Sequence, residues 1–107
     1  MAKQPGVPTP SILQYPDFTQ AVVLSSGVGQ AFGVPTGMGY VGFSMNADFW
    51  VRYRSTAASV PSTSSTSGST NSELNPTYRN VGSTASTTGI SIVADTAVKG
   101  SLNWYKP

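Results

Sequence analysis

The chain is 107 residues long, carries a net charge of +2, and contains neither histidine nor cysteine. It has four carboxylates, Asp17, Asp48, Glu73 and Asp95, so the side chains that support acid–base catalysis, thiol chemistry and transition-metal binding are few or absent. The composition therefore argues against an enzyme and predicts neither a cofactor nor a metal ion, and the six scattered cationic residues argue against a nucleic-acid partner.

Serine and threonine dominate the polar residues, with 28 of them against ten charged side chains. The length fits one domain with a modest core. The first eight residues lack the apolar run of a signal peptide, and no segment approaches the roughly 20 apolar residues that cross a bilayer. We therefore expect a protein that is made and kept in the cytosol, unless a larger assembly carries it out, and that has no membrane partner.

Residues 1–18 are predicted to form an extended arm, and residues 19–107 a single β domain. Four prolines in the arm remove amide donors and favour extended geometry. The arm is a frayed terminus, or it folds back on its own core, or it lies across a neighbouring subunit. For the last alternative the apolar anchors, and hence candidate interface residues, are Ile12, Leu13, Tyr15 and Phe18.

The first predicted strand covers residues 20–25, a β-branched run that ends at a Ser-Gly pair. Glycines and prolines then recur through residues 28–39, which predicts a loop. Within this loop we expect one short strand near residues 30–34.

The clearest periodicity follows, because seven apolar residues occupy the odd positions from Val41 to Tyr53. Such alternation indicates a strand with one buried face. We expect one long, bent strand. A two-residue hairpin at Asn46 and Ala47 is disfavoured because it would turn Trp50 inward.

The second half of the chain is predicted to contain loops and edge strands. Residues 62–70 are hydroxyl-rich and predict a mobile surface loop. Residues 73–81 predict a bent edge segment, because Pro76 is excluded from a central strand. Residues 90–94 and 98–104 share one apolar parity across a three-residue turn, which predicts a closing hairpin. No helical periodicity occurs, so the fold class is all-β, a small antiparallel β-sandwich of jelly-roll type.

Candidate chemistry is sparse. Asp48 and Glu73 are the one carboxylate pair whose predicted strand and loop positions suit a glycosidase, but polar catalytic partners are missing. We therefore expect Glu73 to pair with Arg79 or with a partner protein. Calcium-loop spacing and phosphate-binding glycine motifs are also absent.

Trp50 lies on the wetter parity of the long strand, beside Arg52. It either stacks on sugar rings, as part of a platform extended by Tyr40 and Tyr105, or it is covered by the second sheet, the arm or another subunit. The second interpretation is favoured because aromatic side chains with arginine mark protein interfaces. Trp50 and Arg52 therefore join the candidate interface residues.

The order of the segments carries a resemblance. A Pro-rich arm precedes residues 47–53 (ADFWVRY), a Ser/Thr loop, residues 72–76 (SELNP), residues 90–94 (ISIVA) and residues 102–105 (LNWY). This order is similar to that of small virion structural proteins of tailed bacteriophages, most nearly head decoration or cement proteins. The similarity covers about residues 20 to 105, through loose β patterns.

The resemblance implies a jelly-roll subunit that forms a homo-oligomer, often a trimer. It further implies binding across subunits of the major capsid protein, on the outer surface of the virion head. Two alternatives stay open at this point. One is a carbohydrate-binding or receptor-binding β-sandwich module, and the other is a head-to-tail or tail component of the virion.

Overall fold

The computed structural model describes residues 15–66, 71–82 and 87–107. Within these ranges all regular structure is β, in eight strands. The strands are β1 (Phe18–Leu24), β2 (Gln30–Gly33), β3 (Tyr40–Met45), β4 (Trp50–Tyr53), β5 (Glu73–Leu74), β6 (Tyr78–Asn80), β7 (Gly89–Val93) and β8 (Val98–Tyr105).

The strands form two antiparallel sheets of four. Sheet A has the order β1-β8-β3-β6, and sheet B has the order β2-β7-β4-β5. The pairing is nested, since β1 pairs with β8, β2 with β7, β3 with β6 and β4 with β5. The chain changes sheet at every connection except the one between β4 and β5. The predicted all-β, antiparallel sandwich is confirmed.

The core lies between the sheets and is made by alternate residues of the strands that line it. Trp104 of β8 is fully buried, and its indole Nε1 donates a hydrogen bond of 2.9 Å to Gln20 Oε1 of β1. This bond satisfies the polar atom of the largest core side chain. The other large, fully buried apolar residues are Val22, Leu24, Val41, Val51, Ile90, Ile92, Val98 and Leu102.

The predicted long strand from Val41 to Tyr53 is wrong. β3 ends at Met45 in sheet A, and β4 begins at Trp50 in sheet B. Residues 46–49 cross between the sheets and are held by Asn75, whose Oδ1 accepts a hydrogen bond of 3.0 Å from the Phe49 amide. The alternation survives because both strands face the same core from opposite sides.

The predicted closing hairpin is also wrong. β7 lies between β2 and β4 in sheet B, whereas β8 lies between β1 and β3 in sheet A. The four-residue connection, residues 94–97, therefore turns the chain from one sheet to the other. Ile92 and Leu102 face each other across the core instead of sharing one face of one sheet. The alternation of apolar residues is the same in a hairpin and in a crossing between sheets, so it could not tell the two apart.

Three predictions about individual elements are confirmed. The first strand is β1 and the short strand in the glycine-rich loop is β2. The bent segment 73–81 contains β5 and β6, which are edge strands of different sheets, with the buried Pro76 between them. Residues 1–14 of the predicted arm and residues 67–70 of the predicted loop lie outside the described residues.

Candidate functional site

The outer face of sheet A carries three neighbouring tyrosines. Tyr40, Tyr78 and Tyr105 come from β3, β6 and β8, and each occupies an outward position in the register of its strand. Tyr40 is 42% exposed and Tyr78 is 50% exposed, while Tyr105 is half-buried. We call this surface, defined by Tyr40, Tyr78 and Tyr105, the tyrosine face.

Close packing against a glycine fixes the geometry of the tyrosine face. Tyr78 pairs with Gly42 of β3, and a Cβ atom at Gly42 would lie 2.6 Å from Tyr78 Cε1. The Tyr78 ring therefore lies flat over the backbone of β3. There it contacts the Tyr105 ring, with a centroid distance of 5.9 Å and an interplanar angle of 58°. Such tilted aromatic pairs are favourable.

The tyrosine face is polar but nearly uncharged. Burial, and then a hydrogen bond with Tyr78, raises the pKa of Tyr105 above its ordinary value, so the Tyr105 phenol stays neutral near pH 7. Neighbouring outward residues are hydroxyls and amides, including Ser101, whose Oγ donates a bond of 3.1 Å to Asn103 Oδ1. Among the outward residues of the sheet A strands, Lys99 carries the one charge.

The outer face of sheet B differs, because the chain itself covers the outward residues of its central strand β7. Ser91 and Val93 of β7 point outward and yet are 0% and 2% exposed. The amide of Ala58, in the segment that follows β4, donates a hydrogen bond of 2.8 Å to Ser91 Oγ. Trp50 pairs with Val93 and Leu74 and is half-buried at the same surface.

A charged cluster joins the sheets at their β5 and β6 edges. Arg79 of β6 forms an ion pair with Glu73 of β5, and its Nε donates a hydrogen bond of 3.0 Å to Glu73 Oε1. The Tyr53 hydroxyl donates a bond of 2.7 Å to the same oxygen. The predicted pairing of Glu73 with Arg79 is confirmed.

The pKa values of this cluster follow from these contacts. The hydrogen bond from Arg79 is the main reason that the pKa of Glu73 lies below its ordinary value. Burial, followed by the hydrogen bond to Glu73, raises the pKa of Tyr53. Glu73 is thus held as a carboxylate and Tyr53 as a neutral donor, an arrangement suited to holding two sheet edges together.

The sequence-predicted site residues are dispersed. Tyr15 is 83% exposed and Phe18 is 46% exposed where the chain enters β1, while Ile12 and Leu13 lie outside the described residues. Trp50 and Arg52 occupy outward positions in sheet B, opposite the tyrosine face of sheet A. A single platform of Trp50, Tyr40 and Tyr105 is therefore wrong, because the long strand that would have joined them is two strands.

Sequence reasoning missed the part that Tyr78 plays. Tyr78 looked like one of three spaced apolar residues of an edge segment, together with Leu74 and Val81. In the fold Val81 is buried, whereas Tyr78 and Leu74 point outward from different sheets. The pairing of Tyr78 with Gly42 joins residues 36 positions apart, and no local pattern reports such a register.

The described residues contain no group of three or more histidine, cysteine, aspartate or glutamate side chains placed to hold a metal ion. They also contain no helix with the length and apolar character needed to cross a membrane. No protein-family model, curated protein or solved structure matches the chain.

Proposed function

We propose that this chain is a non-catalytic virion structural protein of a tailed bacteriophage, which decorates the head by binding across subunits of the major capsid protein. The single observation that carries the proposal is the tyrosine face, an aromatic and nearly uncharged surface. Tyrosine is enriched and lysine, aspartate and glutamate are depleted at protein interfaces. The proposed site is therefore a contact surface.

The strand order supports a jelly roll as the finer description of the fold. Nested pairing of the first strand with the last, and inward to β4 with β5, is what results when one long hairpin folds over into two sheets. Jelly rolls occur in viral capsid proteins and in lectin domains. Because one fold supports many functions, the strand order agrees with a capsid protein and with a lectin alike, and the surface residues must distinguish them.

The proposed mechanism is adhesion. A protein that binds across the junction of two capsid subunits stabilises the assembled shell by mass action, because it binds the assembled state and not the separated one. Such a role requires shape and apolar contact and no covalent chemistry. Half-exposed tyrosines on a rigid sheet suit this role, since they bring a large contact area at little entropic cost.

The proposal includes contacts from the N-terminal arm and from sheet B. Tyr15 and Phe18 are exposed where the arm meets β1, and the Asp17 amide next to them donates a hydrogen bond of 2.9 Å to the Trp104 carbonyl. This bond fixes the chain directly before β1 to the end of β8. With Trp50 and Arg52 as further contacts, this arrangement favours self-association, for which we propose a trimer.

The experiment is reconstitution on heads that lack the protein. Purified chain is mixed with undecorated heads of the phage that encodes it, and occupancy is measured by sedimentation and particle imaging. We expect saturable binding over the whole head and an oligomer in solution. Deletion of residues 1–16, which stops short of Asp17 and of β1, is expected to abolish head binding and leave the fold intact. Density at one vertex alone would indicate a connector, and absence of binding would overturn the proposal.

A second candidate function, glycan binding, is favoured by the chemistry of the same face. Aromatic rings flanked by Ser101, Asn103 and other neutral hydrogen-bonding groups suit the stacking and hydrogen bonding that sugars need. A glycan array at high protein concentration tests this candidate. Binding that is lost in Tyr78→Ala supports it, and an array without hits eliminates it.

A further inference from the structure

All three arginines of the chain border one depression. Arg52 lies in β4, Arg54 directly follows β4, and Arg79 comes from β6. The depression has a volume of about 640 Å³ and is also lined by Ser55, Asn80 and Thr87. Half of the six cationic side chains thus meet at one place, although the sequence shows no basic cluster. We call this depression the arginine pocket.

The arginine pocket has an excess of positive charge. Glu73 reaches it through the ion pair with Arg79. The other carboxylates are engaged or distant: Asp48 accepts a bond of 2.9 Å from Asn75 Nδ2, and Asp17 accepts one of 2.8 Å from the Lys106 amide. Asp95 follows the far end of β7. Three guanidinium groups therefore meet one carboxylate.

A buried donor in the pocket has no partner. Nε of Arg52 is inaccessible to solvent and has no hydrogen-bond partner among the described residues. Buried polar atoms are nearly always paired, and a charged donor that lacks a partner is especially unfavourable. Because Nε has no exposed surface, an acceptor from outside satisfies this group only once the guanidinium has turned toward the pocket.

The backbone beside it is strained in a way that glycine would relieve. Arg54 has φ of 57°, in the left-handed region, and its amide donates a hydrogen bond of 2.9 Å to the Gly89 carbonyl. Non-glycine residues in this region are uncommon and concentrate at functional sites. An arginine at such a position points to a use for its side chain.

We propose that the arginine pocket binds an oxyanion, a carboxylate or a phosphate group, with Arg52 as the principal contact. Guanidinium groups present paired donors that match both groups in a two-pronged arrangement. Ser55, Asn80 and Thr87 add neutral donors at the rim. The proposal rests on this pocket alone and does not depend on the proposed virion role.

The test uses the full chain and exploits the presence of just three arginines. Their three Nε–H signals are resolved by NMR and assigned with single Arg→Lys variants. The protein is titrated with inorganic phosphate and, separately, with glutarate, at constant ionic strength maintained with sodium chloride. We expect a saturable shift of the Arg52 signal. The anion that gives the tighter saturation identifies the ligand group as phosphate or carboxylate.

Matched charge removals separate a built site from general attraction. Arg52→Gln is expected to weaken anion binding by about tenfold or more, the effect of one lost charge-assisted hydrogen bond. Lys99→Gln removes the same charge from the outer face of sheet A and is expected to weaken binding by less than about twofold. Amide spectra check that both variants fold. Shifts that do not saturate with either anion, or equal losses in both variants, would overturn the proposal.

Discussion

The two outer faces of the sandwich differ in how far the rest of the chain covers them. In sheet B the outward side chains of Ser91 and Val93 are covered by other parts of the chain. In sheet A the outward rings of Tyr40 and Tyr78 stay half-exposed. The outward residues of β7 are therefore already covered within one chain, whereas the tyrosine face is open to a partner. Changes at the covered outward residues of β7, Ser91 and Val93, are expected to act on stability, and changes on the outer face of sheet A on binding.

The largest expected effect comes from placing a charge on each face. Val93→Asp buries an unpaired carboxylate and is expected to destabilise the fold by about 3–5 kcal/mol. Val23→Asp, on the outer face of sheet A and 58% exposed, is expected to change stability by about 0.5 kcal/mol or less. Chemical denaturation measures both. Similar losses of stability in the two variants would show that the two outer faces do not differ in burial at these positions.

A smaller effect is expected from the hydroxyls. Ser91→Ala removes the acceptor of the Ala58 amide and is expected to lower the free energy of unfolding by about 1–2 kcal/mol. Ser44→Ala, at an exposed outward position of sheet A, serves as the matched control and is expected to have no measurable effect. If Ser91→Ala unfolds at the wild-type denaturant concentration, the segment after β4 does not depend on this bond.

Acid tests the edge where the two faces meet. Because Arg79 holds the pKa of Glu73 below its ordinary value, the carboxylate stabilises the fold fully above the ordinary glutamate pKa of about 4.3. That contribution is lost as the pH falls through the lower folded value. The two side chains are 41% and 36% exposed, so solvent screening keeps it below about 1 kcal/mol.

The measurement is urea unfolding of wild type and Glu73→Gln at pH 7 and at about pH 3. Both proteins retain the other three carboxylates, so the difference between them isolates Glu73. Wild type should lose more stability on acidification than the variant. Equal losses would mean that the ion pair stabilises nothing at this edge.

The smallest effect on stability is expected at the tyrosine face itself. Tyr78 is on an edge strand and 50% exposed, so Tyr78→Ala should cost about 0.5 kcal/mol. Thermal unfolding of the purified variant checks this value. A loss of several kcal/mol would show that the Tyr78 ring supports the fold. The tyrosine face would then not be a surface that is free to bind a partner.

The sequence predicted the fold class and the strands that stand alone, because alternation and turn residues are local signals. It did not predict where the chain changes sheet. Residues 41–53 and 90–104 keep one apolar parity through a crossing, since strands in opposite sheets face the same core. Pairing partners distant in sequence, such as Gly42 with Tyr78, were equally invisible.

The candidate sites could be predicted from the sequence only where the interacting residues are close together along the chain. The pairing of Glu73 with Arg79 joins residues six positions apart, and sequence reasoning found it. The tyrosine face and the arginine pocket are each assembled from residues of several strands. Their composition depends on strand register, which is fixed by packing of the whole sandwich. Trp50, the aromatic residue that the sequence analysis singled out, lies in sheet B, on the opposite side of the sandwich from the tyrosine face.

The central claim is that the outer face of sheet A binds the partner. The most direct measurement is the affinity for undecorated heads of two matched variants, Tyr78→Ala and Leu74→Ala, which truncate outward residues of similar exposure, 50% and 47%, on the edge strands of sheets A and B. We predict that Tyr78→Ala weakens head binding by about tenfold or more, and Leu74→Ala by less than about threefold. Equal affinities, or a greater loss in Leu74→Ala, would contradict the claim.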